Sequence, residues 1–376
     1  MNKVGVANLP LHGGKAPKWL FKRMVKLSES IVTVMVDELS ISEIFKRFSN
    51  PFWFQSLTCI LGYDWHSSGT TTVTCGALKE AIDPEKHGFI FAGGKGKTSR
   101  NTPTEIEQTG DIFSLSSEKI EQLKYASRIT AKIDNNVIQD FHKLYHHSFF
   151  FSELGQWGVI QQGMNKETKY ARRYHWCSED ITDYFNDPHA GIVGEKIQDS
   201  ILNMASKHSI SNQKICVDLI NDHPRHLSRD WERLRIHPQQ QTLDQWSSTE
   251  DQGHVIDCLL MPRCMNWKKM HEIYDRQPKN YEEFVSLQGV GGATVRALAL
   301  ISELIYGETA SWNDPVKYTY AHGGKDGVPY PVDTRSMDAS IDFIRQGVQE
   351  AAIGDLEKRR VLQRLKDFYT PVLVNV

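Results

Sequence analysis

The chain reads as an α+β protein, with an N-terminal mixed α/β domain carrying an antiparallel hairpin and an all-α C-terminal domain. Three observations predict this. Residues 18–37 place Leu20, Met24, Leu27, Ile31 and Val34 on one helical face. Two β-like runs, 156–164 and 170–177, flank a polar stretch at 165–169, the pattern of a hairpin. From about residue 190 helical patterns dominate, with Pro224, Pro238, Pro262 and Pro278 as punctuation. The division is drawn as 1–200 and 201–376, inside a boundary zone of 185–240.

The elements follow in order. Ser40 with Glu43 opens a second helix running through Phe48, an N-cap with its reciprocal acid. The aromatic stretch 51–61 leads into a polar, glycine-flanked loop at 62–69, and a helix then runs to Ile82. Residues 88–92 look like a short buried strand that delivers the chain into Gly93-Gly94-Lys95-Gly96-Lys97-Thr98-Ser99-Arg100. Thr104 with Glu107 is expected to cap the next helix, and 117–135 supplies a longer one. Residues 141–151 are aromatic and histidine-rich, while 239–252 reads as an exposed loop.

The composition narrows the function. Lys plus Arg total 44, Asp plus Glu 46, and the net charge is −2, so a non-specific coat for nucleic acid is excluded and any such binding needs local patches. Candidate patches are Lys95, Lys97 and Arg100, the four cations of 166–173, and Arg225, Arg229, Arg233 and Arg235, although charge runs are more often solvated faces. Six cysteines occur without a CxxC pair, which fits a reducing cytoplasm better than a zinc site or a disulfide scaffold. Lys15, Lys18, Lys22, Arg23 and Lys26 interrupt any signal-peptide core, and no apolar run approaches membrane-spanning length. A soluble cytoplasmic protein is expected.

The most informative stretch is Leu287-Gln288-Gly289-Val290-Gly291-Gly292-Ala293-Thr294-Val295-Arg296. Asn280 followed by Glu283 starts a helix, the glycines turn the chain, and Ala297, Leu300, Ile301, Leu304 and Ile305 continue a second helix to Gly307. Over 280–307 this resembles the helix-hairpin-helix signature of proteins that hold nucleic acid by its backbone. Gly289, Gly291 and Gly292 would let the backbone approach a phosphate, with the amides of residues 291–294 and Arg296 facing the anion. Such contacts give affinity and register but no base specificity. The competing reading is a helical hairpin used only for packing.

Several segments have the residue types for chemistry. Gly-Gly-Lys occurs at Lys15, Lys95 and Lys325, and paired glycines beside a lysine suit a phosphate cradle; ordinary turns are an equal alternative. None is a Walker A loop, because Phe91 stands where that motif needs its first glycine. Asp64 and His66 lie two apart and could hold a divalent metal, Mn²⁺ or Mg²⁺, or act as base and orienter around a water. In the hairpin, Arg172 shares a face with Tyr170 and Tyr174, and Arg173 shares the other with His175. An arginine and a histidine facing one cleft could clamp a phosphate and move a proton; the alternative is structural arginine pairing. His146 and His147 point to opposite faces if extended, so at most one joins a given cleft.

The segments His12-Gly13-Gly14-Lys15-Ala16-Pro17, 64–71, 92–100 and 157–165, with Ala171-Arg172-Arg173-Tyr174-His175-Trp176 and 321–327, together resemble one prokaryotic family, the domain-of-unknown-function family seven-six-three, over nearly the whole chain. That resemblance implies a C-terminal helix-hairpin-helix and a role in DNA processing. Val332-Asp333-Thr334 also resembles the segment whose aspartate assists base excision in helix-hairpin-helix DNA glycosylases. Ala293 occupies the position of the lyase lysine, so a Schiff-base route is not supported.

The leading expectation is a structure-selective DNA endonuclease acting on distorted or unpaired DNA. Lys95, Lys97, Arg100, Arg172 and Arg173 would supply positive charge to the transition state, and Asp64, His66 and His175 would bind a divalent ion or activate water. Trp65, Trp157 and Trp176 are candidates to stack on splayed bases. Lys15, Arg100, Thr294, Arg296 and Lys325 join the glycines as DNA-binding residues. The alternatives are a monofunctional glycosylase centred on Asp333 and a non-catalytic DNA-binding module. A homodimer is expected by analogy.

Overall fold

The computed structural model describes residues 16–61, 68–194, 197–198, 200–234, 260–316, 356 and 359. At its centre is a five-stranded sheet in the order β1-β3-β4-β5-β6, with every neighbouring pair antiparallel. The strands are β1 (Phe89–Lys95), β3 (Lys143–Ser152), β4 (Trp157–Met164), β5 (Ala171–Cys177) and β6 (Gly191–Val193); β2 (Ile138–Gln139) and β7 (Leu202–Asn203) form a separate pair. The expected hairpin is β4–β5. Its register sets Gln161 opposite Tyr174 and Gln162 opposite Arg173, so the two faces divide as the alternation predicts.

Helices cover both faces. On one side lie α1 (Lys18–Glu38), α2 (Ile41–Ser49), α3 (Pro51–Ile60) and α4 (Gly69–Ala81). Ser40 caps α2 by accepting from the Glu43 amide, and Asn50 caps α3 by accepting from Phe52 and Trp53. Their apolar faces enclose Phe89, Phe91, Phe150 and Ile160, and Phe45 meets the Phe150 ring edge-on at 4.9 Å. The other side takes α6 (Thr102–Ile112), α7 (Ser117–Lys132), α8 (Ile210–Asn221), α9 (Pro224–Leu234), α10 (Trp267–Tyr274), α11 (Tyr281–Ser286) and α12 (Gly292–Tyr306); the short α5 (Pro84–His87) precedes β1. One apolar cluster on this side runs from Ile90 to Val316, and residues from both sides of position 200 share it. Among the described residues, no helix is long and apolar enough to cross a membrane.

Two local expectations are corrected. Gly93, Gly94 and Lys95 are not in a loop after the strand: β1 continues through them, pairing with Ser148, His147 and His146. A Cβ on Gly93 would lie 2.3 Å from the His147 carbonyl oxygen, so the glycine serves strand packing, and the turn begins only at the 3₁₀ segment Gly96–Asn101. Thr104 does not cap α6. The helix starts at Thr102, with Pro103 in its first turn, where a missing N–H costs nothing. α7 ends in a π-helical turn, Ile133–Val137, a form that recurs at functional sites.

Candidate functional site

The glycine turn between α11 and α12 is built largely as its residues predict. Asn280 caps α11 by accepting from the Glu283 amide at 2.8 Å, while Glu283 accepts from Lys279, one residue upstream of the cap. Buried Val290 anchors the tip. Gly289 has φ +92°, and Gly291 is extended, with no atom within 4 Å of where a Cβ would lie. Gly307 ends α12 in the left-handed conformation.

The surroundings of the turn were not legible. The π turn of α7 and β2 are bonded to it: the Gly292 amide donates to Asn136 Oδ1 at 3.3 Å, and Gln139 Nε2 donates to the Gly292 carbonyl at 2.7 Å. Gly292 therefore does not offer an uncommitted amide to an anion, as expected of it, because tertiary packing supplies its partner. Arg296 donates to Gln139 Oε1 and to the Leu260 carbonyl and lies 5.7 Å from the Trp312 ring centre. Ala293 is exposed and Thr294 half-buried. Lys132 donates to the Leu287 carbonyl at 2.6 Å, and burial, with Arg128 nearby, lowers its pKa to about 8. Arg128 and Lys132 are four apart on α7, a spacing that signals a shared face but not its neighbour.

A second polar group lies on the sheet face toward α3 and α4. His146, next to Lys95 in the β1–β3 register, is also opposite Gln162 on β4. His146 Nε2 contacts Ser148 Oγ at 3.1 Å; Gln162 Nε2 donates to the Ser68 carbonyl at 2.8 Å and to the Tyr145 hydroxyl. Arg173, fully buried, donates to Gln55 Oε1 at 3.1 Å, Thr71 Oγ1 at 3.4 Å and the Pro51 carbonyl, with its guanidinium 5.0 Å from the Phe54 ring centre. Lys95 reaches over the Tyr145 ring at 5.8 Å from the exposed rim. Burial, aided by His147 and Lys95, lowers the His146 pKa to about 3, so the ring is neutral at physiological pH. In the tautomer with Nε2 donating to Ser148, Nδ1 presents a lone pair. That atom and Gln162 Oε1 are buried without a hydrogen-bond partner among the described residues.

Other expected site residues are placed elsewhere. Arg172 is on the opposite face, buried, and bonded to Asp140 and Asp314, so it is a structural arginine. His175 shares the Arg173 face but is fully buried, 5.6 Å from the Phe54 ring; burial and Arg173 hold its pKa well below the ordinary histidine range. Lys97 and Arg100 are exposed on the 3₁₀ turn after β1. Trp176 is fully buried and donates to Asp134, and Trp157 is stacked between Phe149 and Tyr184, so neither can stack on a base. His147, on the Arg172 face, bonds Ser127 and Gln161. Lys15, Asp64, Trp65, His66, Lys325 and Asp333 lie outside the described residues, as does the 239–252 loop. Among the described residues no three His, Cys, Asp or Glu side chains are grouped to hold a metal.

The family described as "Protein of unknown function (DUF763)" matches the chain over residues 5–332, and the chain belongs to it. No curated protein and no solved structure matches the chain.

Proposed function

We propose that this family member is a DNA-binding phosphodiesterase that grips duplex backbone at the α11–α12 turn and cuts distorted or unpaired DNA. The observation that carries the reading is the open N-terminus of α12: a glycine turn with free space at Gly291, beside Lys132 and Lys269. A helix N-terminus attracts phosphate through its amides and dipole, and the contact falls to Ala293 and Thr294, since Gly292 is bonded to Asn136.

The hydrolytic half rests on the group around His146. Lys95 at the exposed rim carries positive charge of the kind a phosphoryl transition state needs, and Arg173 ends the same cross-strand row two strands beyond His146. His146 Nδ1 and Gln162 Oε1 are atoms of the kind a divalent cation accepts as ligands; Asp64 and His66, expected from the sequence to hold such an ion, lie outside the described residues. When bound, such an ion would activate water and polarise the phosphodiester. A non-catalytic DNA-binding module is supported by the same turn without this second half.

The test is a gel assay on end-labelled single-stranded, duplex, flap and bubble DNA with Mn²⁺, Mg²⁺ or EDTA, beside a binding titration of Gly291→Val. The variant should fold normally, because a Cβ at this extended position meets no atom within 4 Å, and should bind DNA at least about tenfold more weakly. Unchanged affinity makes the turn a packing device and removes the reading. Binding without cleavage in any buffer leaves the DNA-binding module alone.

A further inference from the structure

We infer that Phe141 is a wedge that stacks on an unpaired nucleobase beside the DNA-anchoring turn; this rests on the DNA-binding reading above. Phe141 is 69% exposed and has φ +64°, a left-handed backbone that a bulky side chain adopts only at a cost in stability. Its neighbours hold it there. Asp140 and His142 are both buried, and Asp140 Oδ1 accepts from the His142 amide at 3.0 Å while the Asp140 carbonyl contacts His142 Nδ1 at 2.6 Å. Asp140 Oδ2 accepts from Arg172 at 3.0 Å and from the Tyr174 hydroxyl at 2.6 Å. A strained turn fastened from below thus presents an apolar ring to water, an arrangement that contributes nothing to the core.

Its place in the chain supplies the ligand. Gln139, two residues earlier, is bonded to Gly292 of the anchoring turn, and His146 is five residues later on β3. Even at full extension seven residue steps would cover about 25 Å, and the bend at Asp140 and Phe141 keeps this segment shorter. A duplex held at α12 would lie close to the turn that carries Phe141, because Gln139 and Asp140 on either side of that turn's start are bonded to Gly292 and to Arg172. The adjoining Lys143 is exposed and carries charge suited to the backbone on either side of a splayed base. Other exposed aromatics are engaged differently: Trp19 lies against Arg23, and Tyr306 bonds Asp230. Every base has a π face, so the expected ligand is single-stranded DNA next to duplex, with little sequence preference.

The test compares affinities for a plain duplex and the same duplex with a short unpaired stretch, for the wild type, Phe141→Ala, Phe141→Trp and Phe141→Gly. The alanine and glycine variants should lose roughly tenfold or more on the substrate with unpaired bases and nothing on the duplex, while tryptophan keeps the preference. Phe141→Gly removes the backbone strain, so its Tm should not fall, which separates lost stacking from lost folding. Equal affinities for wild type and Phe141→Ala on the unpaired substrate, or an equal loss on both substrates, overturn the wedge and leave the anchoring turn standing. Failure of the wild type to bind either DNA overturns both.

Discussion

Arg172 on β5 and Asp314 beyond α12 form a two-pronged ion pair, Nη1 to Oδ1 at 2.9 Å and Nη2 to Oδ2 at 2.8 Å, with both side chains almost wholly buried. Asp314 also accepts from the Gln198 and Val316 amides, and Arg172 bonds Asp140 as well. The pair therefore ties the sheet to the segment after the last described helix and to the turn carrying Phe141. Arginine matches this geometry because its planar fork offers parallel donors that lysine lacks.

Replacing Arg172 with methionine leaves two carboxylates buried without their cation. Unfolding by denaturant should then show a loss of about 3–5 kcal/mol, the usual cost of breaking a buried pair from one side. A loss below about 1 kcal/mol would mean that the carboxylates reach water and the pair is peripheral. Asp314→Asn, which keeps an acceptor oxygen, should cost less.

Gly93 and Gly96 make a contrasting pair within one motif. Gly93→Ala would meet the His147 carbonyl oxygen at 2.3 Å and Thr102 Oγ1 at 2.6 Å, at φ +83°. Thermal denaturation should show a destabilisation of about 2 kcal/mol or more. Gly96, at φ +60°, has open space, so alanine there should cost about 1 kcal/mol. Equal effects would contradict the continuation of β1 through Gly93.

On the proposed reading, Lys132 should give DNA binding a pH dependence near neutrality. Its folded pKa of about 8 lies below the ordinary 10.5, so the free protein loses this charge as pH rises from 7 to 9. Affinity should fall across that interval in the wild type and stay flatter in Lys132→Arg, measured at constant ionic strength. Stability moves the other way. Between pH 8 and 10.5 the unfolded chain still holds a proton that the folded chain has released, so folding becomes more favourable as pH rises. Lys132→Met should abolish both slopes; a wild-type affinity profile in that variant would remove Lys132 from the interface.

Features legible from the chain alone were those set by neighbours a few residues away. The α1 stripe, the Ser40 and Asn280 caps, the β4–β5 alternation and the glycine turn all arise from local hydrogen bonds and side-chain periodicity. The same alternation put Arg172 and Arg173 on opposite faces. It carried no information on what each face would meet, and so it could not distinguish the arginine that closes on Asp314 from the one beside Gln55. Gly-Gly-Lys at 93–95 resembled a phosphate loop because its residues suit one; the partner strand made it an extended segment instead.

Sequence by itself determined the helices, the hairpin, the glycine turn and membership of the family. Tertiary structure decided which polar groups have which partners: the Gly292 amide with Asn136, Arg172 with Asp314 and Arg173 with Gln55. The physical reason is range. Caps and periodicity act within a turn or two, whereas a buried charge or an unmatched donor takes its character from atoms more than a hundred residues away along the chain.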